Sequence, residues 1–201
     1  MAHYQPRDKY FKRAREQGLP SRAAFKLSEL LERHRLLHPR MRVLDLGCAP
    51  GGWLAMLARM TTGEARIVGV DLVPCPPISP KVSVLTGDVA DPAVRRDALG
   101  RLGGRANLII SDMAPKLSGI KIRDEARCEE LLNLALQSAD EMLKPGGAMI
   151  AKAFMSGDFA QTLAAFHARF RTVDIVRTAA TRPGSRELYL VARDFRPTEA
   201  A

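Results

Sequence analysis

The run Val43-Leu44-Asp45-Leu46-Gly47-Cys48-Ala49-Pro50-Gly51-Gly52-Trp53 carries the densest chemical pattern in the chain. An apolar segment ends in Asp and Gly, a tight loop follows, and a glycine pair opens an amphipathic segment. This reads as a strand, a glycine-rich turn and a helix N-terminus. Glycines let such a turn bend sharply and approach a ligand closely. The spacing is Gly47-x-x-x-Gly51-Gly52 with Pro50 inside it, so the G-x-G-x-x-G that cradles a pyrophosphate cannot be written here. The loop suits a nucleoside ligand without phosphates, such as S-adenosylmethionine. A purely structural turn between strand and helix is the bland alternative.

Four carboxylates fall at expected strand ends: Asp45, Asp71, Asp88 and Asp112. In an open parallel sheet, ligands bind outside the carboxyl ends of the strands. Asp71 lies roughly twenty residues beyond the glycine loop, where a carboxylate can accept from both hydroxyls of a ribose. That feature is shared with NAD enzymes. Asp88 could accept from an adenine amine, and Asp45 and Asp112 could attract a cationic tail or a sulfonium. Each taken singly could be a turn or cap residue. Lys152 stands among apolar neighbours in Ala148-Met149-Ile150-Ala151-Lys152-Ala153-Phe154. Lysine is rarely buried alone. It either exits to solvent at an edge, or sits near the active edge with its pKa lowered by burial or a second cation.

The elements that must hold these residues alternate. Residues 7–17 read as a short basic helix stopped by Gly18-Leu19-Pro20, and Ser21 is the expected N-cap of a second helix. There Ala24, Leu27, Leu30 and Leu31 recur at helical spacing. Strands are expected at 42–46, 66–72, 82–87, 106–111, 148–154, 172–177 and 187–192. Helices are expected at 51–60, 93–102, 124–143 and 158–170, with Lys144-Pro145-Gly146-Gly147 ending the third of these. The alternation implies an α/β fold, a mostly parallel sheet with helices on both faces. The last two strands lack a helix between them and should form an antiparallel edge hairpin. One domain spans 1–201, with a basic helical extension over 1–41 and the core over 42–195.

Bulk properties narrow the function. The 201 residues are 46% hydrophobic and 26% charged, as in an ordinary soluble protein. No apolar run reaches the length of a membrane span, and no h-region opens the chain. Cys48, Cys75 and Cys128 show no C-x-x-C spacing, and His3, His34, His38 and His167 are scattered, so no metal site is expected. A reducing cytoplasm fits. The net charge is +9, and residues 1–42 hold eleven Lys/Arg against four Asp/Glu, a local +7. Such asymmetry points to a polyanion, here nucleic acid, over a merely solvated face.

Together the motifs resemble the FtsJ/RlmE family of RNA ribose 2′-O-methyltransferases. The likeness runs from Asp8-Lys9-Tyr10 to Val191. It is carried by Ser21-Arg22-Ala23-Ala24-Phe25-Lys26-Leu27, by Asp45 to Trp53, by Ser111-Asp112-Met113-Ala114-Pro115, by Leu143 to Gly147 and by Ser185-Arg186-Glu187-Leu188-Tyr189. The resemblance implies a Rossmann-like class I methyltransferase with a seven-stranded sheet. It implies a catalytic set of Lys26, Asp112, Lys152 and Glu187, and S-adenosylmethionine contacts at Gly51, Trp53, Asp71, Asp88 and Asp112. The chain looks most like the bacterial enzyme acting on large-subunit (23S) ribosomal RNA at a uridine of the aminoacyl-site loop. The added domains of cap or nucleolar relatives are not expected, and a monomer is expected. Lys116 stands where Asn is expected, and Gly119-Ile120-Lys121-Ile122-Arg123 is unusually basic.

On this reading Lys152 accepts or orients the hydroxyl proton, and Lys26 disfavours a second ammonium beside it. Asp112 sits near both the sulfonium and Lys152, and Glu187 holds a lysine in place. Arg7, Lys9, Lys12, Arg13, Arg15 and Arg22 contact phosphates, with Arg182 and Arg186 across the active edge. Few aromatics interleave them beyond Tyr4, Tyr10 and Phe11, so folded RNA fits better than a single strand. The rivals are an NAD-dependent oxidoreductase, a non-catalytic RNA-binding assembly protein and a transfer-RNA ribose methyltransferase.

Overall fold

Apolar runs bounded by turn residues become the strands of one sheet, and the amphipathic segments between them cover both its faces. The computed structural model describes residues 9–116, 118–155, 159–182 and 184–197. Arg7 and Tyr4 lie outside the described residues. The elements run α1 Lys9–Glu16, α2 Ala23–Arg33, β1 Arg42–Leu46, α3 Gly52–Met60, β2 Arg66–Asp71, β3 Val82–Thr86 and α4 Pro92–Leu102. They continue with β4 Ala106–Ser111, α5 Lys121–Met142, β5 Leu143–Phe154, α6 Phe159–His167, β6 Phe170–Val176 and β7 Glu187–Phe195. The seven-stranded sheet has the order β3-β2-β1-β4-β5-β7-β6. Strands β3, β2, β1, β4 and β5 pair in parallel, and β7 is inserted antiparallel to both β5 and β6.

Strand parity sorts the side chains into two apolar cores. Leu44, Leu46, Ile109, Met149 and Leu190 face one side, together with buried residues of α4, α5 and α6. Val43, Ile110, Ile150, Tyr189 and Val191 face the other, together with Leu27, Leu30 and Leu31 of α2 and Leu54 and Leu57 of α3. Each fully buried leucine contributes about 1.5–3 kcal/mol through lost apolar exposure. The helix that carries Lys26 is therefore clamped to the sheet face that Lys152 also faces.

Local signals act where local chemistry decides. Asp91 caps α4 by accepting from the Ala93 amide at 2.8 Å, Pro92 opens the helix, and Gly103 closes it at φ +70°. Three expectations need correcting. Ser21 does not cap α2: Arg22 holds the cap position without a side-chain cap bond, and the Ser21 hydroxyl packs onto Gly52 at the start of α3. Helix α5 starts at Lys121 and ends at Met142, where Leu143 turns extended because it already pairs with Ala106 of β4. Tertiary pairing stops that helix before the Pro-Gly-Gly signal is reached. Asp45 lies within β1 rather than at its end, and it is fully buried.

Candidate active site

The carboxyl ends of the parallel strands open into a cavity of about 290 Å³, near the lower end of the roughly 300–1,000 Å³ that ligand pockets occupy. Its wall includes Gly47, Asp71, Asp88, Asp112, Met113 and Leu134. Gly47 takes φ +79°, and a Cβ there would meet Met113 Cγ at 2.7 Å. Only glycine serves both the turn and that close approach.

Asp71 holds the loops beside the cavity. Its Oδ2 accepts from the Ala49 amide at 2.9 Å and its Oδ1 from the Val73 amide at 2.9 Å. Each carboxylate oxygen keeps a further lone pair for a ligand hydroxyl. Asp88 Oδ1 accepts from the Ala90 amide at 2.8 Å. Val70, Leu72, Val89 and Leu131 supply apolar walls. A polar end of carboxylates with an apolar slot fits a nucleoside such as S-adenosylmethionine. Gly51 and Trp53 do not line this cavity. Gly51 takes φ +97°, and a Cβ there would strike Ile78 and Cys75. Trp53 is buried, its indole N–H donates to the Ala23 carbonyl at 2.9 Å, and its ring lies 5.9 Å from that of Tyr189. It joins the glycine loop to α2 and β7.

Asp45 stands behind the loop, and neither of its carboxyl oxygens has a hydrogen-bond partner among the described residues. Burial, then the nearby Asp112 and Asp71 carboxylates, push its pKa well above the ordinary value. The carboxyl is therefore held neutral. Burial also pushes the Cys48 thiol up, so Cys48 is an inert packing group.

Parity along three strands gathers the remaining site residues. Asp112 follows β4 in register with Ile110, Lys152 with Ile150, and Glu187 and Tyr189 with Val191, all toward α2. Lys152 and Tyr189 are direct cross-strand partners. Lys152 is only 8% exposed and does not exit to solvent; β5 is an interior strand. Its Nζ donates to the Asp112 carbonyl at 2.6 Å and to Asp112 Oδ1 at 3.0 Å. Lys26 Nζ donates to Glu187 Oε1 at 2.5 Å. Tyr189 joins the two ion pairs: its hydroxyl donates to Asp112 Oδ1 at 3.3 Å, and Lys26 Nζ lies 5.8 Å from its ring centre. Burial, then Asp112 and Glu187, push the Tyr189 phenol well up, so it stays a neutral donor. Thr181 Oγ1 donates to Glu187 Oε1 at 3.4 Å. Tyr189 went unassigned in the sequence, although Glu187-x-Tyr189 spacing on a strand already sets both on one face.

Asp112 belongs to both groups. It lines the cavity and receives Lys152, so the ion-paired lysines stand at the cavity mouth. Packed against Phe25, next to Lys26 on α2, α1 presents exposed Lys9, Lys12, Arg13 and Arg15. Arg13 lies over the Phe25 ring at 4.8 Å and Lys9 over Tyr10 at 5.2 Å, which anchors the basic face beside Lys26. Arg22 donates to the Ala180 carbonyl, and burial followed by the neighbouring Arg182 lowers its pKa. Arg186 pairs with Glu125 at 2.8 Å.

Residues 19–195 match the model of the FtsJ-like methyltransferase family. The chain belongs to this family. Among family relatives, ribosomal RNA large subunit methyltransferase E of Anaeromyxobacter dehalogenans is 43% identical over 98% of this chain and 74% of its own length. The protein of that name from Methanoregula boonei is 41% identical, covering 94% of this chain and 96% of its own length. A crystal structure described as a putative ribosomal RNA methyltransferase from Plasmodium falciparum superposes with a TM-score of 0.76 at 29% identity. It covers 87% of this chain and 97% of its own. Fibrillarin from Aeropyrum pernix, solved with natively bound S-adenosyl-L-methionine, shares the fold with a TM-score of 0.60 at 16% identity, over 83% of this chain and 74% of its own. The fold of this FtsJ-like chain is thus the class I methyltransferase fold. Among the described residues no cluster of His, Cys, Asp and Glu could hold a metal, and no helix is long and apolar enough to cross a membrane.

Proposed function

We propose that this FtsJ-like methyltransferase transfers a methyl group from S-adenosylmethionine to a ribose 2′-hydroxyl of large-subunit ribosomal RNA, at a uridine of the aminoacyl-site loop. The observation that carries the reading is the pair of ion pairs, Lys26–Glu187 and Lys152–Asp112, set around Tyr189 at the mouth of a nucleoside-sized cavity. Relatives named ribosomal RNA large subunit methyltransferase E support the substrate.

When bound, S-adenosylmethionine supplies an electrophilic methyl group on a sulfonium. The protein supplies alignment and proton handling. Asp71 would accept from the cofactor ribose and Asp88 from the adenine amine, while Asp112 would offer negative charge to the sulfonium. Lys152 has two of its three hydrogen-bonding directions fixed on Asp112, which leaves one for the attacking hydroxyl. Holding that oxygen in line removes much of the entropic barrier. Lys152 either receives the hydroxyl proton or orients the oxygen. Lys26, steered by Glu187, places positive charge where the ribose oxygen becomes electron-rich. The basic face of α1, with Arg22, Arg182 and Arg186, holds the RNA backbone. The soluble setting is the cytoplasm, and the working unit is a monomer.

The test is mapping of 2′-O-methyl groups in ribosomal and transfer RNA after reaction with labelled S-adenosylmethionine. Large-subunit particles, naked ribosomal RNA and transfer RNA would be offered in turn. Methylation of one uridine in large-subunit RNA is expected. Efficient methylation of transfer RNA alone would transfer the chemistry to another substrate, and binding of RNA without methylation would make the protein a non-catalytic binder.

A further inference from the structure

We propose that the pole of the sheet opposite the active edge is a second RNA-binding surface. It would grip the phosphate backbone of the same RNA at a site remote from the target nucleotide. The inference rests on RNA being the substrate.

Parallel strands all start at one edge of a sheet, and here nearly every start is basic. Arg42 and Arg66 open β1 and β2 and are direct register partners. Lys144 is the second residue of β5, Arg171 the second of β6, and Arg196 follows β7, which ends at this pole because it runs antiparallel. The Arg196 amide donates to the Arg169 carbonyl at 2.7 Å, which fixes that corner. With strands roughly 4.8 Å apart, the six strands from β2 to β6 set out a basic row roughly 24 Å long. The row lies roughly 17 Å from the catalytic edge along β4, at about 3.3 Å per residue.

The ordinary explanation for basic residues here is service to helix C-termini and loose carbonyls. It accounts for some of them. Arg105 donates to the Leu143 carbonyl at 3.2 Å, Lys81 to the Thr61 carbonyl at 2.6 Å, and Arg40 pairs with Glu64 at 3.2 Å. It does not account for Lys144, Arg171 and Arg196, which are exposed and form no ion pair among the described residues; Arg66 is exposed and without an ion pair there too, although its guanidinium lies against Gly103 at the C-terminus of α4. Placing Arg42 directly opposite Arg66 costs stability through like-charge repulsion. Both guanidiniums spread over the Gly103-Gly104 turn, where a Cβ would strike them. Arg171 and Arg196 flank an open hollow with Gly146, and exposed Asp194 is its one acidic wall residue. A row of unpaired cations fits a polyanion, and phosphates are read by such a row without regard to sequence. A protein with cations at both poles of a sheet cannot satisfy both on a single short stem. The substrate this surface fits is a large folded RNA or an assembled particle.

The experiment compares the full chain with a variant carrying Arg66→Gln, Lys144→Gln, Arg171→Gln and Arg196→Gln. Binding is measured at several salt concentrations to large-subunit RNA and to a short hairpin bearing the target nucleotide. On the large RNA the variant should bind more weakly. Its log–log salt slope should fall by about 0.7–0.9 for each phosphate that is no longer neutralised. Hairpin affinity and S-adenosylmethionine affinity should not change, and the melting temperature should not fall, since Arg66→Gln relieves the repulsion with Arg42. A wild-type slope on large RNA, or equal weakening on both RNAs, would overturn the second surface. Failure of the wild-type chain to methylate ribosomal RNA would instead overturn the reading on which the surface rests.

Discussion

Replacing Lys152 by Met tests the centre of the site with little change in shape. Met keeps the length and apolar stem of Lys, which packs in an 8% exposed position, and removes the ammonium. Two hydrogen bonds to Asp112, at 2.6 and 3.0 Å, vanish together. Asp112 then keeps the Tyr189 hydroxyl at 3.3 Å as its side-chain partner. Loss of the proton-handling group should slow single-turnover methyl transfer by roughly 10²–10⁴-fold, or about 3–5 kcal/mol of barrier. Removing one partner of a fully buried pair costs about 3–5 kcal/mol of stability. Asp112 is 24% exposed, so water recovers part of that, and a destabilisation below about 3 kcal/mol is expected. Adding Asp112→Asn should return stability without returning activity, because the stranded charge is gone and the nucleophile is still unassisted. The assay pairs denaturant unfolding with rapid-quench methyl transfer and calorimetric S-adenosylmethionine binding. A folded Lys152→Met protein that turns over at a near-normal single-turnover rate would refute the role argued for Lys152. Loss of activity matched by an equal loss of cofactor affinity would make Lys152 a binding residue.

Three further outcomes follow from the geometry. Asp71→Ala should weaken S-adenosylmethionine binding by about 1.5–3 kcal/mol, since a charged acceptor is removed and the Ala49 and Val73 amides are released; unchanged calorimetric affinity would remove Asp71 from the site. Neutralising Lys9, Lys12, Arg13 and Arg15 should lower the salt slope of RNA binding by roughly 0.7–0.9 per phosphate released and leave cofactor affinity intact, and an unaltered slope would detach α1 from the RNA. Asp45 binds its proton more tightly folded than unfolded, so stability is fullest below its ordinary pKa of 3.8 and falls as pH rises toward the raised folded value. Asp45→Asn should remove that decline, at most about 1.4 kcal/mol per pH unit; unfolding curves of the two proteins that run parallel across pH would show Asp45 is not held neutral.

The sequence was most legible where one local force sets the outcome. Strands β1 and β4 have the bounds their apolar runs imply, and Asp91, Pro92 and Gly103 delimit α4 as their chemistry requires. Legibility fell where distant packing outweighed local preference. Ser21 offers a good cap, yet its hydroxyl packs on Gly52. Leu143 is drawn into the sheet by Ala106 before Pro145 can end the helix. Trp53 sits in a ligand-like loop, but its ring size and its N–H bond to Ala23 commit it to the core. Lys152 announced itself because a lysine in an apolar strand demands an explanation. Tyr189 did not, because an aromatic in a strand needs none until its cross-strand partner is known.

The inserted strand explains why the site forms at all. A sheet of parallel strands alone would bring Asp112 and Lys152 to one edge, since both lie near the carboxyl ends of adjacent strands. It would bring no acid to Lys26. Running β7 antiparallel between β5 and β6 returns the chain to the active edge at its start rather than its end. Glu187 and Tyr189 are therefore the first residues of β7 on the α2 face, opposite Phe154 and Lys152. Side chains on a strand alternate, so a one-residue slip of β7 would send both to the opposite face and separate Lys26 from its acid. The register is held by buried Leu188 and Leu190 in one core and Tyr189 and Val191 in the other. The geometry of the proposed site and the hydrophobic packing are thus fixed by the same alternation, and neither can shift without the other.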